Sequence, residues 1–223
     1  MPSTMIALRP TWSAVEQISI KDPSRQEDTV EAYYEVQAET SDLKIELPWD
    51  LHMTMLHFPK VSMEQIGQIT EAVQSVARRI PTIVGRTAGY AEFNTEGGYG
   101  HPCVVLVDSL DLIPLRQALI AAIPDEIEYS KDHGFIPHIT LAYSYVPKPL
   151  EVEYTGPVDL VFPEIEVVFG YDGIRESYPF GGSIGSRKTI KEIANEWATR
   201  NQNERLAQSV LQGIFDVRDD YSH

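Results

Sequence analysis

The sequence has little cysteine, no long apolar run, and far fewer basic than acidic residues. A single cysteine among 223 residues, Cys103, excludes an intramolecular disulfide framework and any zinc site built on paired thiolates. It lies in the apolar run Cys103-Val104-Val105-Leu106-Val107 and reads as a small core side chain rather than a reactive thiol. No apolar stretch approaches the ~20 residues needed to span a bilayer. The opening MPSTMIALRPTW also lacks the basic-then-apolar order of a secretory leader. The expectation is a soluble, cytoplasmic protein that does not enter membranes. Eighteen Lys and Arg against 33 Asp and Glu leave a net charge of −15. Binding duplex nucleic acid or an anionic bilayer means replacing counterions with basic side chains, so this balance repels long polyanions. A compact phosphate ligand captured by local groups is still allowed. HExxH and EF-hand patterns are missing, and Gly97-Gly98-Tyr99-Gly100 lacks the lysine and the strand-to-helix setting of a P-loop.

What is present is an ordinary globular composition, 43% hydrophobic and 23% charged, enough for one large core. Residues 5–8 read as a short strand. The charged stretch 12–50 follows, in which Glu31–Val36 is either a strand or a helical turn. Pro48 and Asp50 lead into a strand at Leu51–Phe58 that stops at Pro59. Ser62, with Gln65 three residues on, caps a helix whose apolar positions Met63, Ile66, Ile69, Val73, Val76 and Ala77 recur at helical spacing. A β stretch spans Thr82–Phe93, and a strand follows at 103–107. Leu112, Leu115, Leu119, Ile120 and Ile123 mark a second amphipathic helix. A strand from Ile136 to Tyr145, a Pro-rich connection at 147–157 and a final strand pair at 158–180 complete a body of residues 1–180. This order predicts an α+β or α/β domain with two similar halves. Residues 181–186 read as a Gly-Ser hinge, and 187–223 as a helical tail whose apolar stripes require a partner surface. That surface is either the body or another subunit, and self-association or partner recruitment is the favoured role.

The informative residues are His52-Met53-Thr54 and His138-Ile139-Thr140, each inside an apolar stretch and at the equivalent place in its half. A lone His-x-Thr in a strand is an ordinary structural feature, but a duplicated one in duplicated context is not. Strand side chains alternate with period two, so His52 and Thr54 project from one face, as do His138 and Thr140. With the two strands side by side, two imidazoles and two hydroxyls converge on one groove. Two histidines can divide general acid and base work near neutral pH, and hydroxyls can bond phosphoryl oxygens without adding charge.

HMTM (52–55), HITL (138–141) and the surrounding PHITLAYSY segment resemble the 2H phosphoesterases, the superfamily that includes RNA 2′,3′-cyclic phosphodiesterases once called 2′-5′ RNA ligases. The resemblance runs over roughly residues 4–180. It implies an α+β, bilobal, pseudo-symmetric fold in which two antiparallel sheets line a central groove, to which this chain adds a C-terminal helical appendage. It further implies phosphodiester cleavage next to a ribose hydroxyl without metal or other cofactor. His52 and His138 would be acid and base in an order the symmetric motifs leave open, and Thr54 and Thr140 would hold the non-bridging oxygens. The substrate would be a 2′,3′-cyclic end of RNA or a small nucleotide, or a cyclic di- or oligonucleotide messenger of the kind dismantled by phage members of the superfamily. A different class of reading is a catalytically idle nucleotide-binding or virion-associated module.

Other residues are weaker candidates. Phe58 shares the parity of His52 and could stack on a base, although core packing is the simpler reading. Tyr99, among glycines, could belong to a flap over a nucleotide. Tyr143 has the opposite parity from His138 in a regular strand, yet superfamily relatives often carry a Tyr or Arg just after the second motif. His57, five residues after His52, should face away from the groove. His133 reads as a turn residue, and a zinc site made from His52, His138 and a carboxylate is a minor alternative.

Overall fold

A computed structural model describes residues 3–20, 43–94, 100–131, 134–145, 156–170, 173–181 and 186–188, together with Glu192, Asn195, Glu196 and Thr199. The elements run β1 (Thr4–Leu8), α1 (Trp12–Ile18), β2 (Leu43–Ile45), a 3-10 turn (Pro48–Asp50), β3 (Met53–Phe58), α2 (Met63–Ala77), β4 (Ile83–Glu92), β5 (His101–Asp108), α3 (Leu112–Ala122), β6 (His138–Ser144), β7 (Asp159–Phe162), β8 (Glu164–Phe169), β9 (Ile174–Pro179) and β10 (Ser186–Lys188). The strands form two five-stranded sheets, ordered β10-β9-β8-β1-β3 and β2-β6-β5-β4-β7. Every pairing is antiparallel. The class is α+β, with the two histidine strands in different sheets. β3 is the edge of the first sheet and β6 lies one strand in from the edge of the second, and the two touch across the junction between the sheets.

The long helix forms where its cap predicts. Ser62 Oγ accepts the Gln65 N–H at 3.2 Å while Gln65 Oε1 accepts the Ser62 N–H at 2.8 Å, satisfying two of the N–H groups a helix start leaves open. Its inward face, Ile66, Ile69, Val73 and Val76, packs against α3 and the backs of β8 and β9. One apolar cluster then joins both halves, running from Ile6, Leu56 and Phe58 through Leu115 and Leu119 to Ile139, Leu141 and Ile165. This shared core fixes the two sheets relative to one another, because close-packed side chains leave no slack for one sheet to slide on the other.

Three parts of the chain differ from the sequence reading. The stretch after β1 opens with α1, which buries Ala14, Val15 and Ile18 without any side-chain cap. The final strand pair is three strands. Pro163, which has no N–H to continue a ladder, separates β7, in the second sheet, from β8, in the first. β10 pairs with β9 through Ser186↔Ser177 and Lys188↔Arg175, so residues 186–188 extend the first sheet and the boundary drawn at 186/187 falls inside a strand. Beyond it, Glu192, Asn195, Glu196 and Thr199 are helical and exposed. The segment Glu31–Val36 lies outside the described residues.

Candidate active site

The groove face can be read from cross-strand pairing, since residues opposite one another in antiparallel strands project from the same side. β3 pairs with β1 as Met5↔His57, Ile6↔Leu56, Ala7↔Thr54, with Met55 left over. Met55 is therefore a bulge, an extra residue that reverses the alternation beyond it. Met5 and Ala7 share one face of β1, so Thr54 and His57 share that face too. The Met5 Sδ lies 3.8 Å from Thr54 Oγ1, and burial agrees, with Met53, Met55, Leu56 and Phe58 buried while Thr54 is half-buried and His57 exposed.

β6 repeats the device. Its register on β5 is Pro102↔Tyr143, Cys103↔Ala142, Val104↔Thr140 and Leu106↔His138, leaving Leu141 as the bulge. Pro102, Val104 and Leu106 occupy one face of β5, so Tyr143, Thr140 and His138 occupy one face of β6. Lys44, opposite Tyr143 on β2, joins the same face. Each bulged carbonyl, out of step with its ladder, finds a donor elsewhere. Arg116 Nε donates to Met55 O at 3.1 Å and the Glu46 N–H donates to Leu141 O at 2.8 Å.

The two imidazoles are held in the same way. His52 Nδ1 lies 2.6 Å from Asp50 O, and His138 Nδ1 lies 2.7 Å from Ile136 O. A carbonyl can only accept, so each Nδ1 carries the hydrogen and each Nε2 is left for chemistry. The rings are close enough that a charge on His52 disfavours one on His138. Burial foremost, and that repulsion, hold the His138 pKa below its usual value, against the opposing pull of the Ile136 carbonyl. Phe93 meets the His138 ring edge-on at 4.8 Å. On the other side, the Glu46 carboxyl interacts with His52 and Asp50, and burial raises its pKa. The Tyr143 phenol is hydrogen-bonded to the Thr140 side chain, and burial, followed by Glu46, raises its pKa so that it stays neutral. Lys44 Nζ lies 5.6 Å above the Tyr143 ring and 3.3 Å from Glu46 Oε1.

Beneath His52 lies an ion cluster that sequence reasoning missed. Glu166 is 2% exposed and takes Arg9 Nε at 3.0 Å and Nη2 at 3.3 Å. Arg175 Nη1 lies 3.6 Å from Oε2, the oxygen that also takes Arg9 Nη2. Arg9 and Arg175 both reach the Trp49 carbonyl, and Arg175 pairs with the Asp50 carboxylate. Two guanidiniums thus pin the Pro48–Asp50 turn, whose last carbonyl receives the His52 Nδ1–H. Buried charges persist only when paired and hydrogen-bonded. The available signal was weak: an isolated Glu inside Ile165-Glu166-Val167-Val168-Phe169, with its partners scattered along the chain.

His52, Thr54, His138 and Thr140 are thus brought together. Phe58 is not with them. The Met55 bulge turns it inward to 0% exposure, so the stacking role is withdrawn and its parity passes to His57, which faces the groove rather than away from it. The Leu141 bulge likewise corrects the parity of Tyr143 and places it on the site face. Tyr99 and His133 lie outside the described residues. Cys103 is buried against Ile45 and Ala142, with its pKa raised by burial. Among the described residues, no three His, Cys, Asp or Glu side chains converge as a metal site. No helix among them is long and apolar enough to cross a membrane.

An α+β fold of two antiparallel sheets, each lending one His-x-Thr strand to a common groove, is that of the 2H phosphoesterases. The family model of the 2′-5′ RNA ligase superfamily matches residues 23–156, more than half of the chain, and the protein belongs to that superfamily. The crystal structure of TT0787 from Thermus thermophilus is similar with a TM-score of 0.55 at 18% identity, over 84% of this chain and 94% of that one. LigT of Escherichia coli, crystallised with NADP+, aligns with a TM-score of 0.49 at 16% identity, over 85% and 98% of the two chains. No curated protein matches the sequence.

Proposed function

We propose that the protein is a phosphodiesterase that cleaves a ribonucleotide phosphodiester, a 2′,3′-cyclic phosphate or a cyclic di- or oligonucleotide, by two-histidine acid–base catalysis. Membership of the superfamily supports the phosphodiesterase activity. The observation that carries the mechanism is the matched pair of imidazoles, each fixed through Nδ1 to the carbonyl two residues before it and each followed two residues on by a threonine. His138, whose pKa is held down by burial beside Phe93, is the base. Its neutral Nε2 takes a proton from water, the oxygen attacks phosphorus, and the bond from phosphorus to one ribose oxygen breaks. Protonated His52 delivers its Nε2 proton to that departing oxygen. Thr54 and Thr140 hydroxyls bond the non-bridging oxygens where negative charge grows. Tyr143, hydrogen-bonded to Thr140, orients that hydroxyl, and Lys44 supplies a cation beside it.

The test is a panel of 2′,3′-cyclic mononucleotides and cyclic dinucleotides in excess EDTA, read by product mass. Hydrolysis that survives EDTA and vanishes in the His52→Ala, His138→Ala double variant supports the mechanism. Activity lost to EDTA and restored by zinc or manganese overturns it. Binding without turnover would establish the idle nucleotide-binding reading instead.

A further inference from the structure

The bulge at Met55 does more than aim Thr54. It leaves His57 on the groove face, three residues along β3 and so within about 10 Å of Thr54. There the Ser130 N–H donates to His57 O at 2.8 Å, which lays the segment leading to β6 alongside the end of β3. Between them is a cleft of about 460 Å³ lined by His57, Pro59, Glu128, Tyr129, Ser130 and Lys131. Lys131 Nζ is held 5.0 Å from the Tyr129 ring centre. Arg116, which caps the bulge, lies 5.7 Å from the same ring. On a chain of net charge −15, counted with neutral histidines, the one ammonium and the one carboxylate of this lining balance, so the cleft is a locally neutral spot that carries two nitrogen donors, Lys131 Nζ and the His57 ring. Nothing in the cleavage step uses these groups.

We propose that this cleft is a second phosphate subsite, which takes the phosphate one nucleotide away from the bond being cleaved. The proposal rests on the phosphodiesterase reading and adds the class of substrate, a ribonucleotide with at least two phosphates along its backbone. Lys131 Nζ and the His57 imidazole face that phosphate as donors, and cation–π contact with Tyr129 keeps the lysine from ranging freely. Glu128 offers an acceptor to donors that a nucleotide carries and a bare phosphate lacks, such as a ribose hydroxyl or a base amino group. A 2′,3′-cyclic mononucleotide fills the catalytic end alone. A dinucleotide with a 2′,3′-cyclic end and a cyclic dinucleotide share the second phosphate, so both should reach the cleft.

The experiment compares these three adenine substrates with wild type, Lys131→Ala and His57→Gln. Lys131 and His57 are exposed, so the substitutions leave the core intact. Each variant should raise KM for a two-phosphate substrate about tenfold more than for the mononucleotide, with kcat changed little. An effect confined to the linear dinucleotide identifies RNA ends as the source, and one confined to the cyclic dinucleotide identifies a cyclic messenger. Equal KM changes for all three substrates, or none, overturn the subsite. Calorimetric titration of the linear dinucleotide into His138→Ala separates this from failure of the catalytic reading. Binding weakened about tenfold by adding Lys131→Ala upholds the subsite even where nothing is cleaved. Binding indifferent to Lys131 removes it.

Discussion

The strands that carry the two His-x-Thr motifs share a backbone and differ in their surroundings. In both, the His Nδ1 is tied to the carbonyl two residues earlier, a threonine follows two residues later, and a bulge then turns the fifth residue after the histidine toward the groove. That residue is His57 on β3 and Tyr143 on β6. The first histidine rests on a turn clamped by buried charges, with the Glu46 carboxyl in range. The second faces an aromatic edge, and burial holds its pKa below the ordinary value. In the proposed mechanism the duplicated backbone geometry supplies the two arms, and the division of labour between them comes from their neighbours rather than from the motifs.

The largest expected effect comes from removing either arm. His52→Ala and His138→Ala should each lower kcat by ~10²–10⁴-fold, the usual contribution of a positioned acid or base. The double variant should be far less than multiplicatively worse, because the pair works as a unit. Near-wild-type turnover in either single variant breaks the comparison outright. Next is the support found on one side only. Glu166→Gln leaves two buried guanidiniums short of their counter-charge and should cost about 3–5 kcal/mol of stability in urea denaturation. A loss under about 1 kcal/mol would show that the clamp is not what fixes the His52 turn.

Smaller effects sharpen the comparison. Thr54→Val and Thr140→Val should each reduce kcat about 10²-fold with KM nearly constant, as expected for donors engaged where charge develops. A loss in KM alone would place them in ground-state binding. Tyr143→Phe removes one hydrogen bond to Thr140, worth about 1 kcal/mol, so kcat should fall roughly fivefold. An unchanged kcat would make Tyr143 a wall of the groove and nothing more.

How much of this was legible depends on the scale of the cause. The two motifs, the α2 capping box and the apolar stripes of α2 and α3 are local, and the sequence states them. The bulges are not local. Whether Met55 and Leu141 are skipped is decided by the strands beside them, and a single skipped residue exchanged the roles expected of Phe58 and His57. The ion cluster draws on residues 9, 50, 166 and 175, which only the assembled sheet brings together. Seven-residue α1 and three-residue β2 are too short for periodicity to register, and their stability comes from packing.

The unequal arms are tested most directly by the pH dependence of kcat/KM for a 2′,3′-cyclic mononucleotide in EDTA. His138 must be neutral to act as base, and its pKa is lowered, so activity should fall on acidification only below its ordinary value of about 6.5. The account predicts that His138→Ala abolishes this acidic limb of the residual activity, while His52→Ala keeps it. An acidic limb that survives in His138→Ala and disappears in His52→Ala would contradict it.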